Sequence, residues 1–225
     1  MRIIAIDGPA GAGKSTISRQ LAKRLDMDYL DTGAMYRAVT AEAMHRGVDL
    51  HDVEAIAAIS HAVDISVGER GVHVDGRDVS EIIRTPEVTV NVAPVASNSA
   101  VRADLRDRQR AWAEAHDGGV IEGRDIASVV FPEATLKIYL TATPLERAKR
   151  RAAQYGGNIE EIAAALAERD HKDMSRTEGK LQPVEGGHDV ATDGQTIDEI
   201  VDRIIGLLEQ AESPASTLHD GEKGP

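Results

Sequence analysis

Apolar residues fall along this chain in two alternating rhythms. Ile3 to Ile6 form a short β-branched run that stops at Asp7, the signature of a buried strand. A glycine-rich turn follows, and Lys14 to Leu25 then carries Ile17, Leu21 and Leu25 at helical spacing. Tyr29-Leu30 is a candidate second strand. Thr32 is expected to cap a helix reaching His45, with Gly47 as its stop, and Asp52 to His61 forms another short helix. From Val63 the period changes to two. Val63 to Val67 alternates, Glu69-Arg70-Gly71 turns, Val72-His73-Val74 alternates again, and Asp75-Gly76 is a two-residue hairpin signal before Arg77-Asp78-Val79. Pro86 opens a helical stretch to about His116, interrupted near Pro94. Gly119 to Glu122 and Leu136 to Leu140 read as buried strands. Leu145 to Arg176 is charged and helical with a break at Gly156-Gly157. Val190-Ala191-Thr192 is a last strand, and Ile197 to Leu208 a last helix.

Strands alternating with helices imply an α/β fold with a parallel sheet covered on both faces. The antiparallel meander inside that pattern reads as an insertion. No internal repeat interrupts the order.

Composition narrows the chemistry. The 225 residues contain no cysteine, which removes disulfides, thiolate metal sites and cysteine nucleophiles. With one Trp, one Phe and four Tyr, the core must be built from aliphatic side chains. The opening apolar run is too short for a signal peptide and no later run approaches a membrane span, so a cytoplasmic protein is expected. Formal charge is −12, of which the polar stretch from Ala211, expected to be disordered, supplies only about −2. A body that acidic is a poor general binder of nucleic acid, so any phosphorylated ligand must be met by arginines gathered locally.

One motif names a ligand class. Gly8-Pro9-Ala10-Gly11-Ala12-Gly13-Lys14-Ser15 fits G-x-x-x-x-G-K-[ST] without mismatch, between a strand and a helix as the motif requires. Glycines let backbone N–H groups converge on an anion, and the following helix offers its N-terminal dipole. Lys14 supplies charge at the β- and γ-phosphates, and the Ser15 hydroxyl can join a Mg²⁺ shell. Thr16 completes the candidate nucleotide-binding segment. The motif specifies a nucleotide and leaves the reaction open.

The arginines cluster. Arg37 follows Asp31-Thr32-Gly33-Ala34-Met35-Tyr36, one turn into a helix whose N-terminus favours anions. Arg124 sits in Glu122-Gly123-Arg124-Asp125 at the carboxyl end of a buried strand, where ligand sites of open α/β sheets lie. Arg147, Arg150 and Arg151 precede Arg169, Asp170, Asp173 and Arg176. On a helix, Arg147 and Arg151 share a face, as do Arg169, Asp173 and Arg176. Arg102 begins a fourth group, in which Arg106, Arg108 and Arg110 read as an ordinary solvated face.

The phosphate loop, Asp-Thr-Gly-Ala-Met-Tyr-Arg, the hairpin insertion, Glu-Gly-Arg-Asp before Val129-Val130-Phe131-Pro132, and Glu-Arg-Ala-x-Arg-Arg together resemble bacterial cytidylate kinases, in order from about Arg2 to about Leu208. The resemblance implies a P-loop NTPase-type three-layer fold. Its core (1–34, 98–145 and 177–210) carries a five-stranded parallel sheet. An inserted monophosphate-binding domain (35–97) and a helical lid (146–176) complete it, with the tail at 211–225. It also implies transfer of a phosphoryl group from ATP, with Mg²⁺, to CMP or dCMP by a monomer. Thr32, Tyr36 and Arg37 match the monophosphate-binding segment. Arg124 and Arg176 match arginines that join Arg37 around the CMP phosphate, and Arg102 and Asp125 match the pair that reads the cytosine edge. Asp173, with Arg169, matches the ribose contact. Arg147, Arg150 and Arg151 match lid arginines near ATP. An ungapped reading puts Ala93 where the family often has a base-contacting serine, and Glu122 stands where Asp is common.

Two rival functions are weighed by the same residues. A kinase acting on UMP, AMP or a non-nucleotide acid is opposed by the hairpin insertion and the Arg102/Asp125 pair. A nucleotide-switch binding protein is opposed by the absence of Asn-Lys-x-Asp and by the arginine-rich lid.

Overall fold

The computed structural model describes residues 1–68 and 71–213. Five parallel strands form its central sheet: β1 (Arg2–Asp7), β2 (Tyr29–Asp31), β6 (Gly118–Glu122), β7 (Leu136–Thr141) and β8 (His188–Ala191), in the order β2-β6-β1-β7-β8. Each needs a crossover before it can pair with a parallel neighbour, and α1 (Lys14–Leu25), α5 (Ser99–Ala115) and α8 (Ile197–Glu212) supply helical cover. The central strand β1 is buried from Ile3 to Asp7 because it has neighbours on both edges and helices on both faces. Its side chains therefore alternate between two cores. Ile3 and Ala5 pack with Leu30, Ile121 and Phe131, whereas Ile4 and Ile6 pack with Leu21, Val120, Leu140 and Ile204.

Between β2 and α5 lies the insertion. Helix α2 (Thr32–His45), helix α3 (Val53–Ala62), a meander of β3 (Ile65–Gly68), β4 (Gly71–Val74) and β5 (Arg77–Asp78), and helix α4 (Pro86–Ser97) all belong to it. The meander is antiparallel, with Ile65 opposite Val74 and Val74 opposite Arg77. Asp75 and Gly76 both have positive φ, 50° and 79°, which is what a two-residue hairpin with the native strand twist demands. The turn expected at Glu69-Arg70 lies outside the described residues, as do residues 214–225 of the expected tail.

Four expectations from sequence are corrected. Asp31, not Thr32, caps α2: its carboxylate accepts the Ala34 N–H at 2.9 Å, leaving Thr32 as the first helical residue. Pro94 does not break its helix. The carbonyl it leaves without a donor is that of Val90, which is 77 % exposed and open to water. The break comes at Asn98, whose side chain caps α5 by accepting the Ala100 and Val101 N–H groups. Helix α8 runs to Glu212, two residues into the stretch expected to be disordered. The last strand ends at Ala191, because Thr192 turns its hydroxyl onto the Ala12 and Thr141 carbonyls.

Helices α6 (Pro144–Tyr155) and α7 (Ile159–Met174) form an antiparallel pair separated by Gly156 and Gly157. Ala148 and Leu166 bury themselves against Ala10 of the glycine-rich loop, so this pair rests directly on that loop.

Candidate active site

The phosphate loop and the Glu122-Gly123-Arg124-Asp125 turn leave the carboxyl ends of the neighbouring strands β1 and β6, and Arg124 ties the two together through the Gly8 carbonyl. The loop between β1 and α1 leaves the sheet at Gly8, whose φ is +150°. A β-carbon there would collide with the Leu140 carbonyl of the neighbouring strand, so the turn admits only glycine. Lys14 opens α1 and is buried at 8 % exposure, its Nζ donating to the Gly8 and Pro9 carbonyls at 2.8 and 2.9 Å. Burial, then the nearby Arg124 guanidinium, pulls its ammonium down to about 7. Ser15 is partly buried beside it and Thr16 is exposed.

Three acids to which sequence analysis assigned no role end the strands β1, β6 and β2. Asp7 ends β1 and accepts the Ile126 and Ala127 N–H groups at 2.9 and 2.8 Å, organising the tight turn of Ile126–Val130 after β6. Burial pushes Asp7 up to about 6. Glu122 ends β6, 3 % exposed, and accepts from the Tyr29 hydroxyl. Burial and then the Asp31 carboxylate raise Glu122, while Lys14 and Ser15 act in the opposite sense. Asp31 both caps α2 and accepts from Arg37 Nη2 at 2.9 Å, so one carboxylate fixes the helix start and the arginine one turn in. Thr32 donates to the Glu122 carbonyl at 2.7 Å, tying the same helix to β6.

Helices α6 and α7 are equally tied to the loop. Arg147 is buried and donates to the Ala10 carbonyl at 3.0 Å and to Asp170 at 2.5 Å, while Asp170 accepts the Ala10 N–H at 3.3 Å. From sequence Asp170 is only a neighbour of Arg169, yet it ties α7 to the loop. Arg150 donates to the Ala12 carbonyl and to both oxygens of Thr192. Arg151 lies over the Tyr155 ring at 4.6 Å. Arg124 reaches from the end of β6 to the Gly8 carbonyl at 3.1 Å and to Asp173 at 2.8 Å. Asp173 also accepts from Arg176 at 2.5 Å. Burial opposes its ionisation, but the Arg124 and Arg176 charges outweigh that and hold Asp173 below the usual carboxylate range. Arg169 stands among other cations, and burial together with Arg124 lowers it to about 10.

Arg102 and Asp125 form a buried ion pair across 23 residues of sequence, with Arg102 also donating to the Ala96 carbonyl and lying 6.0 Å over the Tyr36 ring. Burial pushes Asp125 up, opposed by Arg102. The pair lines a small cavity with Tyr36, Arg106, Val129, Val130 and Glu178. Arg106 thus reaches the site. Arg108 and Arg110 are structural, donating to the carbonyls of Ser60, Val63, Val129 and Val130. Ala93 is partly buried, while Ser97 and Ser99 are exposed.

Among the described residues, the buried side-chain nitrogens left without a partner are Arg37 Nε, Arg147 Nε and Arg176 Nε. An unpaired guanidinium N–H is costly to bury, and these three belong to arginines already held by Asp31, Asp170 and Asp173. No helix of the described residues is long and apolar enough to cross a membrane, and no cluster of three or more His, Cys, Asp or Glu among them could hold a metal by itself.

A five-stranded parallel sheet whose central strand runs into a phosphate loop defines a P-loop NTPase-type architecture. The family model for cytidylate kinase matches residues 4–210, and this chain belongs to that family. It is 47 % identical over 214 residues to a bifunctional pantoate ligase/cytidylate kinase of Parasynechococcus marenigrum, covering 90 % of this chain and 42 % of that protein. A protein of the same description from Synechocystis is 44 % identical over 221 residues, covering 92 % and 43 %. The chain therefore spans less than half the length of these relatives. In fold alone it is similar to an uncharacterised protein from Eubacterium ventriosum, with a TM-score of 0.52 at 13 % identity over 93 % of this chain and 99 % of that one. A protein from Thermus thermophilus gives 0.50 at 17 % identity over 95 % and 98 %.

Proposed function

We propose that this chain transfers the terminal phosphoryl group of ATP to CMP or dCMP, giving ADP and CDP or dCDP. The observation that carries the reading is the buried Arg102–Asp125 pair lining a small cavity, together with Arg124, which meets the Gly8 carbonyl that Lys14 also meets and shares Asp173 with Arg176. In this reading residues 1–34, 98–145 and 177–210 are the core, 35–97 the monophosphate-binding domain and 146–176 the lid. The protein works as a cytoplasmic monomer on small-molecule nucleotides.

Phosphoryl transfer asks for alignment and for cations around the transferring group rather than for covalent help. Lys14, Arg147 and Arg151 serve the donor side, and Arg150 the nucleoside end. Arg37, Arg124 and Arg176 hold the acceptor phosphate, with Thr32 and Tyr36 shaping its bed. Asp173 accepts from two of those arginines, Arg124 and Arg176, and, with Arg169, meets the ribose. An acceptor phosphate oxygen is already ionised near neutral pH, so no general base is needed. The lid excludes water from the cleft. The Ser15 hydroxyl and the Glu122 carboxylate are hard oxygen donors that suit Mg²⁺ keeping most of its waters. Bound there with ATP, Mg²⁺ supplies charge neutralisation on the phosphates.

A panel of nucleoside monophosphates with ATP and Mg²⁺, following ADP, tests the reading. CMP and dCMP should give the highest kcat/KM. Preference for UMP or AMP would replace the acceptor, and no ADP with any monophosphate would favour a nucleotide-switch role.

A further inference from the structure

The chain returns from the lid to β8 through residues 175–187, which form neither helix nor strand. Most of this return is exposed, but Gly179 and Leu181 are buried. Leu181 donates its N–H to the Asp173 carbonyl at 3.1 Å, folding the segment back along the end of α7. That fold lays Gly179 flat against the Arg102–Asp125 pair. A β-carbon built on it would stand 2.6 Å from Arg102 Cζ and closer still to Arg102 Nη2 and Asp125 Oδ2. Its φ of +64° is also left-handed. The neighbouring Glu178 lines the same cavity as the pair.

We infer that Gly179 is a specificity-determining position of the acceptor site: its bare backbone, flanked by Glu178, is a wall that holds Arg102 and Asp125 in the plane from which they address a base. The inference rests on the cytosine-reading role proposed for that pair. The physical argument is steric. A carbon 2.6 Å from Cζ forces the guanidinium to retreat by roughly 1 Å to reach ordinary van der Waals distance. Hydrogen bonds to a planar base tolerate a spread of only about 0.5 Å in length, so a pair displaced that far no longer matches the cytosine edge. The donor side is untouched, because Lys14 and Arg150 are held by the loop and by Thr192.

Three variants of the full chain test this. Gly179→Ala is compared with Gly186→Ala, a glycine of the same return segment whose φ is +70° and around which nothing lies within 4 Å. Both substitutions carry the same backbone strain, and only one carries the collision. Glu178→Gln, at an exposed position, is measured beside them. For Gly179→Ala we expect kcat/KM for CMP to fall about 100-fold and the CMP:UMP ratio to collapse, as for a buried polar site whose partners are misaligned. KM for ATP should stay within about twofold, as for contacts remote from the substitution, and Gly186→Ala should match wild type. Glu178→Gln should lower the same ratio about fivefold, because it neutralises the one carboxylate besides Asp125 that lines the cavity, and decides the question should Gly179→Ala fail to fold. An unchanged ratio in Gly179→Ala, an equal shift in Gly186→Ala, or an unchanged ratio in Glu178→Gln where Gly179→Ala does not fold overturns the wall. Wild-type enzyme that prefers AMP overturns the base-reading role itself, and with it this inference.

Discussion

Lys14 enters the reaction cycle with its proton at stake. Its ammonium is lowered to about 7 by burial and by Arg124, against an ordinary 10.5. The ligand-free protein therefore carries a larger share of neutral Lys14 at pH 8 than at pH 6. Under the proposed function ATP brings phosphate charge to Nζ, which restores the charged form because an adjacent anion outweighs desolvation. Binding should then draw in more proton at pH 8 than at pH 6. The terminal phosphate, with a second pKa of about 6, is already ionised at pH 8 and contributes little. Arg169, at about 10, is already charged. Calorimetric titration with ATP, without acceptor, in two buffers of contrasting ionisation enthalpy gives the number directly as a slope. Lys14→Ala should flatten that slope, whereas Glu122→Gln should keep most of it. A slope near zero at pH 8 in the unmodified protein, or one that survives Lys14→Ala, would refute the assignment of a half-titrated lysine to the phosphate loop.

The remaining predictions concern one residue each. Lys14→Ala should remove turnover, at a cost to the barrier of several kcal/mol (~3 or more), with the melting transition retained; near-normal kcat would take the loop out of the chemistry. Asp125→Ala should cost CMP far more than UMP, because the carboxylate accepts from cytosine's amine and repels uracil's carbonyl; kcat/KM values falling equally would make Asp125 structural. Asp7 is raised from 3.8 to about 6, so the folded state holds its proton longer than the unfolded state. Its contribution is therefore largest below about pH 4 and is lost as pH rises through 6, a change of about 3 kcal/mol. Chemical denaturation at pH 4 and pH 7 should show the stability of wild type relative to Asp7→Asn falling by about that amount, and a constant difference would contradict it.

The sheet, the loop and the arginine clusters were legible because each leaves a one-dimensional trace. β1 is an unbroken aliphatic run ended by Asp7, and the loop obeys a fixed spacing set by backbone geometry. Hidden from the sequence were partnerships between distant side chains. Tyr29 meets Glu122 across 93 residues and Ala10 meets Asp170 across 160, separations that only the crossover connections close. Pro94 misled because a proline's effect on a helix depends on whether the carbonyl it strands can reach water. Asp7 offered the one usable signal: a charge placed directly after four apolar strand residues has to be satisfied by something, and two backbone N–H groups satisfy it.

Ala10 is held by α6 and α7 on both sides of its Cα, its N–H by Asp170 and its carbonyl by Arg147, with Ala148 and Leu166 packed over its methyl group. Helices α6 and α7 cannot leave the loop without breaking both bonds and uncovering that methyl group, so their parting is a single cooperative step. Under the proposed function, association with ATP should accordingly level off with concentration at the frequency of that step.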